Sequence, residues 1–213
     1  MPLQGIAKKA ERPGVLVCLG DSVTAGYGLS EAQAYPSLLE KRLSGWRVIN
    51  AGVSGDTTAG GLKRLDWVLK SHPDAIFVAL GGNDGLRGLQ PAETERNLDS
   101  ILKKAKAAGS QVLLAGMFVP TNYGESYSQD FHSLYRRVAQ KHKAPFMPFL
   151  LTGVAGKADL NQADGIHPTA EGQKILAVHI GTFLRSHLLK TASYKEGPNQ
   201  AEKVIRRKGD MGP

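Results

Sequence analysis

Short apolar runs alternate with longer stretches in which apolar residues recur every three or four positions, from residue 15 to about residue 189. A run with no polar face is what a strand covered on both sides requires, whereas three-and-four spacing marks a helix with one buried stripe. The runs at 15–19, 47–50, 75–80, 111–118 and 145–147 read as five strands. The segments 35–43, 58–70, 91–108, 126–141 and 169–189 read as the helices between and after them. Pro91 suits a first helical turn, and Gly109 stands as a stop signal behind residue 108. Strands and helices in rotation predict an α/β fold around a parallel five-stranded sheet, because parallel neighbours need a crossover between them.

The flanks break this rhythm. Residues 1–13 read as an N-terminal extension, 14–190 as one domain, and 191–213 as a polar tail expected to be disordered or loosely packed, with a short helix possible across 199–207. The length of 213 residues suits a single core. No stretch is apolar for long enough to span a bilayer, and Lys8, Lys9 and Arg12 precede no apolar run of the kind a secretory leader carries.

Composition narrows the function classes. The formal charge is +8, about half of it from the two ends, and neither aromatic interleaving nor a nucleic-acid motif accompanies the lysines, so no nucleic-acid partner is expected. The single cysteine, Cys18, lies within the first apolar run and reads as a small buried hydrophobe. Gly55 and Gly60 have the separation of a phosphate loop, but Gly61 stands where that loop needs lysine. No clustered His, Cys or carboxylate spacing suggests a metal, and no cofactor is expected.

Four separated blocks carry the chemistry: Gly20-Asp21-Ser22, Gly52-Val53-Ser54-Gly55-Asp56, Gly81-Gly82-Asn83-Asp84 and Asp164-Gly165-Ile166-His167. The first three each begin as a predicted strand ends, which places them on the carboxyl edge of the sheet, where open α/β sheets bind ligands. Ester cleavage needs a nucleophile, a base, a group that orients the base, and donors aimed at the oxygen that becomes negative. Ser22, His167, Asp164, and the Gly55 N–H with the Asn83 amide fill those roles in turn. The block around Ser22 is not the Gly-x-Ser-x-Gly elbow, since Thr24 stands where that motif wants glycine. Each block alone has a bland reading as a turn, a cap or a loop closure; together they point to a serine hydrolase. The other histidines, His72, His132, His142, His179 and His187, fall on predicted helices or their ends, without such companions, and read as surface or packing residues.

In order, spacing and placement the four blocks resemble those of the SGNH hydrolases, or GDSL-type esterases, from about residue 15 to residue 189. The wording Val53-Ser54-Gly55-Asp56-Thr57-Thr58, Leu80-Gly81-Gly82-Asn83-Asp84-Gly85-Leu86-Arg87-Gly88 and Asp164-Gly165-Ile166-His167-Pro168 is similar to the bacterial thioesterase, arylesterase and lysophospholipase type. Val23 departs from the usual leucine. The resemblance implies a three-layer α/β/α, flavodoxin-like fold, with Ser22 as nucleophile, His167 as base, Asp164 as its orienter, and the N–H groups of Ser22 and Gly55 with Asn83 as oxyanion hole. It also implies a mobile loop at 82–89 and an acyl crevice flanked by 119–124. Leu86, Phe118, Val119 and Tyr123 are candidate substrate contacts, with Phe118 set against a plain core reading. The implied substrates are small-molecule aryl and short-to-medium acyl esters, with acyl thioesters and lysophospholipids beside them. The alternatives are a carbohydrate O-acetyl esterase and a non-catalytic binding module on the same fold. The resemblance fits an exported protein, periplasmic or secreted, if a leader has been removed, and a cytoplasmic one otherwise; oligomeric state is left open.

Overall fold

In the computed structural model, residues 13–119 and 123–188 are described. The extension expected at 1–13, apart from Pro13, and the tail at 191–213 lie outside them, as do residues 120–122 of the segment expected to flank the acyl crevice.

Strand β1 (Gly14–Gly20) leads into a four-residue helix α1 (Ser22–Ala25), then a 3-10 turn (Glu31–Gln33) and helix α2 (Tyr35–Glu40). Strand β2 (Trp46–Gly52), helix α3 (Thr58–Leu69) and strand β3 (Ala75–Ala79) follow, then the short helix α4 (Gly82–Leu86) and the long α5 (Pro91–Ala107). The chain closes with β4 (Gln111–Ala115), α6 (Glu125–His142), β5 (Phe146–Met147) and α7 (Ala170–His187). The five strands form one parallel sheet in the order β2-β1-β3-β4-β5. Right-handed crossovers then place α2 on one face and α3, α5 and α6 on the other. The packing agrees: α3 lies on α5 and α5 on α6, while α7 lies on α2.

The central strands have no polar face because both faces are covered. Leu16, Val17, Cys18 and Leu19 of β1 and every residue of β3 are buried. Burial also pushes the Cys18 thiol far up, so it stays a neutral hydrophobe. Strand β2 is an edge, and two of its N–H groups are occupied by side chains: Val48 donates to Glu40 Oε1 at 3.2 Å and Gly52 to Asn50 Oδ1 at 2.9 Å. Side-chain caps set the helix starts, Thr57 accepting from the Gly60 N–H and Thr169 from the Gly172 N–H, both at 3.2 Å.

Two features differ from the sequence expectation. Strand β4 stops at Ala115 rather than running on to residue 118, because β5 offers it only two residues to pair with. Gly116 then passes so close to the next segment that a Cβ there would lie 2.3 Å from the Pro148 carbonyl oxygen. Helices α1 and α4 were not foreseen, since four or five residues show no periodicity. Both lie at the carboxyl edge. The strand order reverses between β1 and β3, and the resulting crevice is where ligands bind in open α/β sheets.

Candidate active site

Ser22 opens α1 directly behind β1, with Asp21 as the cap that accepts from the Val23 N–H at 3.0 Å. The helix is held from behind. Thr24 Oγ1 shares a 2.8 Å hydrogen bond with the Tyr35 hydroxyl, and Gln173 of α7 donates to the Val23 carbonyl at 3.0 Å while accepting from the Tyr35 N–H at 2.9 Å. Asp21 is almost fully buried, and that desolvation pushes its carboxyl up to about 6 despite the hydrogen bond from Val23 and the nearby His167.

The second block is a turn tied to the end of β1. The Val53 N–H donates to the Gly20 carbonyl at 3.1 Å, and the Asp56 N–H closes the turn on the Val53 carbonyl at 3.1 Å, with Gly55 at φ 79°. Arg64, two turns into α3, binds the block from below: its Nε donates to Asp56 Oδ2 at 2.7 Å and its Nη2 to the Gly20 carbonyl at 3.0 Å. From above, Arg87 Nη2 donates to the Gly55 carbonyl at 2.9 Å.

The third block crosses over the second. Gly81 has φ 113°, and a Cβ there would fall 2.0 Å from the Tyr135 hydroxyl, which itself donates to the Leu80 carbonyl at 3.1 Å. Only glycine meets both demands. The chain turns into α4, where Asn83 Nδ2 donates to the Asp56 carbonyl at 2.9 Å. An amide NH2 carries two hydrogens, so one fixes Asn83 against the second block and the other is left for a ligand. Asp84, fully buried, accepts from the Thr58 N–H at 2.9 Å, the Thr58 hydroxyl at 2.5 Å and the Thr94 hydroxyl at 3.3 Å. It pins α4 to the starts of α3 and α5.

The fourth block lies on the loop ahead of α7 and is exposed apart from the His167 ring. Asp164 Oδ1 accepts from the N–H groups of Ile166 and His167 at 2.9 and 3.0 Å, and Oδ2 faces His167 Nδ1 at 2.6 Å. These bonds, the His167 N–H first, hold the Asp164 carboxyl down at about 2. A carboxylate only accepts, so Nδ1 carries the proton and Nε2 presents its lone pair. Nε2 lies 2.9 Å from Ser22 Oγ. The arrangement can take the serine proton and hold the resulting imidazolium against a carboxylate.

The structure therefore brings Ser22, His167 and Asp164 together, and joins the Gly55 and Asn83 segments to the same strand end. Of the candidate substrate contacts, Leu86, Phe118 and Tyr123 are partly exposed, and the Tyr123 hydroxyl donates to the Leu86 carbonyl at 2.9 Å. Phe118 is not a core residue: it stands 44% exposed, its ring against His132 and Phe149. Val119 is buried, packed where a Cβ on Gly85 would fall. The segment 82–89 begins as helix and is fastened in its second half by Arg87, through the Gly55 carbonyl, and by the Tyr127 hydroxyl, which donates to the Leu89 carbonyl at 2.9 Å. His142 also has a carboxylate companion, against expectation: its Nε2 meets Asp99 Oδ1 at 2.7 Å between α5 and α6, where Lys141 binds the same oxygen.

Sequence reasoning passed over Arg64, Arg87 and the scaffold role of Asp84. Arg64 has a signal in retrospect: Asp56 stands just before α3 and Arg64 two turns into it, a gap that a long arginine side chain spans. The partners of Arg87 and Asp84 are tertiary and left no spacing to read.

Comparisons with known proteins find relatives along most of the chain. The profile of the GDSL-like lipase/acylhydrolase family matches residues 18–175. The chain is 44% identical over 175 residues to the esterase TesA of Pseudomonas aeruginosa, covering 80% of this chain and 87% of that one. It is 43% identical over 171 residues to the thioesterase 1/protease 1/lysophospholipase L1 of Escherichia coli, covering 79% and 82%. Among solved structures, the psychrotrophic esterase EstA from Pseudoalteromonas sp., inhibited by monoethylphosphonate, superposes with a TM-score of 0.79 at 33% identity over 82% of this chain and 98% of that one.

Proposed function

The chain belongs to the GDSL-like lipase/acylhydrolase family and is an ester hydrolase, and from that premise we propose that Ser22, His167 and Asp164 carry the reaction through an acyl-enzyme on Ser22. The observation that carries this reading is the continuous hydrogen-bonded path from Ser22 Oγ to His167 Nε2 at 2.9 Å and from His167 Nδ1 to Asp164 Oδ2 at 2.6 Å. Ser22 Oγ attacks the acyl carbon while its proton passes to Nε2. The carbonyl oxygen becomes negative and is met by the N–H groups of Ser22 and Gly55 and by the free hydrogen of Asn83. Collapse breaks the bond to the leaving alcohol or thiol, which takes the proton from Nε2. Water then attacks the acyl-enzyme with His167 again as base, releasing the acid and restoring Ser22.

The substrates we assign are aryl and short-to-medium acyl esters, with acyl thioesters and lysophospholipids as the extension that the names of the relatives support. Leu86, Phe118 and Tyr123 form the acyl flank beside Asn83, with Val119 packed beneath them. A panel of p-nitrophenyl esters of increasing acyl length, run beside acyl-CoA and acetylated sugars, tests the assignment; activity confined to acetylated sugars overturns it. Ser22→Ala lowers kcat by about four to six orders of magnitude with unchanged thermal unfolding, and a serine-reactive phosphonate labels the parent at Ser22 but not the variant. Retention of most of the activity by Ser22→Ala removes the whole scheme.

A further inference from the structure

An ester has two sides, and the substrate contacts assigned above, Leu86, Phe118, Val119 and Tyr123, meet only the acyl side. The departing oxygen or sulfur takes its proton from the ring nitrogen that faces Ser22, so the leaving group has to pass beside the His167 imidazole. The side chains bordering that ring can therefore select the alcohol.

Tyr27 is the aromatic neighbour of His167, with ring centroids 4.6 Å apart and planes tilted by 39°. Its backbone is fixed to both halves of the catalytic pair. The Tyr27 N–H donates to the Ser22 carbonyl at 3.0 Å. Its carbonyl accepts from Gln162 Nε2 at 2.8 Å, and Gln162 in turn donates through its own N–H to the His167 carbonyl at 2.7 Å and through Nε2 to the Pro168 carbonyl at 3.1 Å. The side chain, by contrast, is 52% exposed. Ile166, directly before His167, is 45% exposed. A large apolar ring held on a fixed backbone and left half in water gains by covering that surface with an apolar group. The acyl flank at Leu86, Phe118 and Tyr123 is built from other elements, α4 and the segment before α6, and is cross-tied by the Tyr123 to Leu86 bond.

We propose that Tyr27, with the exposed Ile166 that directly precedes His167, is the leaving-group wall of the site: it selects esters of aromatic and bulky apolar alcohols over esters of small ones, independently of the acyl chain. The proposal rests on Ser22 and His167 being the catalytic pair. Once Tyr27 covers part of the leaving group in the transition state, its contribution appears in kcat/KM, which reports acylation and hence the step in which the alcohol departs.

The test holds the acyl group constant and varies the alcohol, then does the reverse. In the first series phenyl, 2-naphthyl and ethyl acetates are compared; in the second, p-nitrophenyl acetate, butyrate and octanoate. Tyr27→Ala is expected to lower kcat/KM about tenfold on phenyl and 2-naphthyl acetate and less than about threefold on ethyl acetate, leaving the order of acyl preference unchanged. Tyr27→Phe keeps the parent pattern, because the ring and not the hydroxyl makes the contact. Ile166→Ala repeats the selective loss at about threefold and serves as a second probe on a different loop. An equal loss on all three acetates in Tyr27→Ala means that the ring only positions His167, a change in acyl preference means that it belongs to the acyl flank, and no change means that it touches neither; each of these overturns the proposal. Phosphonate labelling of Ser22 in the parent separates the two readings, since absence of label there defeats the catalytic assignment rather than the role of Tyr27.

Discussion

Asp84 and Asp164 each accept three hydrogen bonds, yet they belong to regions built on opposite plans. Asp84 is fully buried at the sheet edge, and its donors, the Thr58 N–H and the hydroxyls of Thr58 and Thr94, come from α3 and α5. Asp164 is exposed on a loop, and its donors, the N–H groups of Ile166 and His167 and the His167 ring, lie within three residues of it. The nucleophile and oxyanion side is thus fixed from a distance, by strand ends cross-linked through Arg64, Asn83 and Asp84. The base side is fixed locally, by a turn that folds around one carboxylate. A site needs both: the oxyanion donors have to be stiff before charge develops, whereas the base has to exchange protons with a departing group and with water.

The contrast breaks if activity and stability fail to separate between the two regions. Asp164→Ala is expected to lower kcat by about 10² to 10⁴, by releasing the imidazole from its tautomer and orientation, while thermal unfolding moves little because the carboxylate is in water. Asn83→Ala is expected to lower kcat by about 10² to 10³, with little change in KM, since its free hydrogen acts only as charge develops. Kinetics and melting curves on the same preparations check both. A normal kcat in a folded Asn83→Ala protein removes Asn83 from the hole, and a large stability loss in Asp164→Ala removes the local character of the base side.

What the chain reveals before folding divides along the same line. Asp164 and His167 are three residues apart, and the bond between them could be expected from spacing alone. The five strands and the placement of Ser22, Gly55 and Asn83 at their ends followed from apolar runs whose burial on both faces leaves no alternation. Arg64 on the Gly20 carbonyl, Arg87 on the Gly55 carbonyl, and Tyr27 against His167 did not follow, because each pair joins segments far apart in the chain that only the fold brings together. Helix α4 was hidden for another reason: it follows Gly81, a glycine with positive φ, and ends after five residues, so its structure depends on the contacts of Tyr135 and Asp84 rather than on its own pattern.

Asp84→Ala sharpens the comparison from the other side. It leaves the Thr58 N–H and two hydroxyls buried without their acceptor, for a loss of about 3 kcal/mol in unfolding free energy. Because α4 then loses its anchor, kcat falls as well, by more than the stability loss explains under conditions where the variant is still folded. Denaturant unfolding with activity measured well below the midpoint distinguishes this from Asp164→Ala, where only turnover changes. Equal stability of parent and Asp84→Ala would mean that the sheet-edge scaffold is not held by this carboxylate.

The smallest expected effect concerns Asp21, which belongs to the scaffold side but sits next to the nucleophile. Burial raises its carboxyl from 3.8 to about 6, so the folded protein binds its proton more tightly than the unfolded chain does. The sign is therefore opposite to that of Asp164, whose carboxyl is held down at about 2 and whose contribution is present above the ordinary carboxylate range and lost as pH falls through that value. For Asp21, stability is fully present below about pH 4 and is lost as pH rises through about 6, a shift worth on the order of 3 kcal/mol at neutral pH as an upper bound. Asn in its place keeps an oxygen for the Val23 N–H but never ionises. Asp21→Asn is expected to be more stable than the parent by about 1 to 3 kcal/mol at pH 7.5, with the gap closing towards pH 4. Melting curves across that range measure the gap directly. A gap that does not change with pH would show that the buried carboxylate carries no charge penalty, and a variant less stable at pH 7.5 would show that its ionised form is held by its neighbours more strongly than burial opposes it.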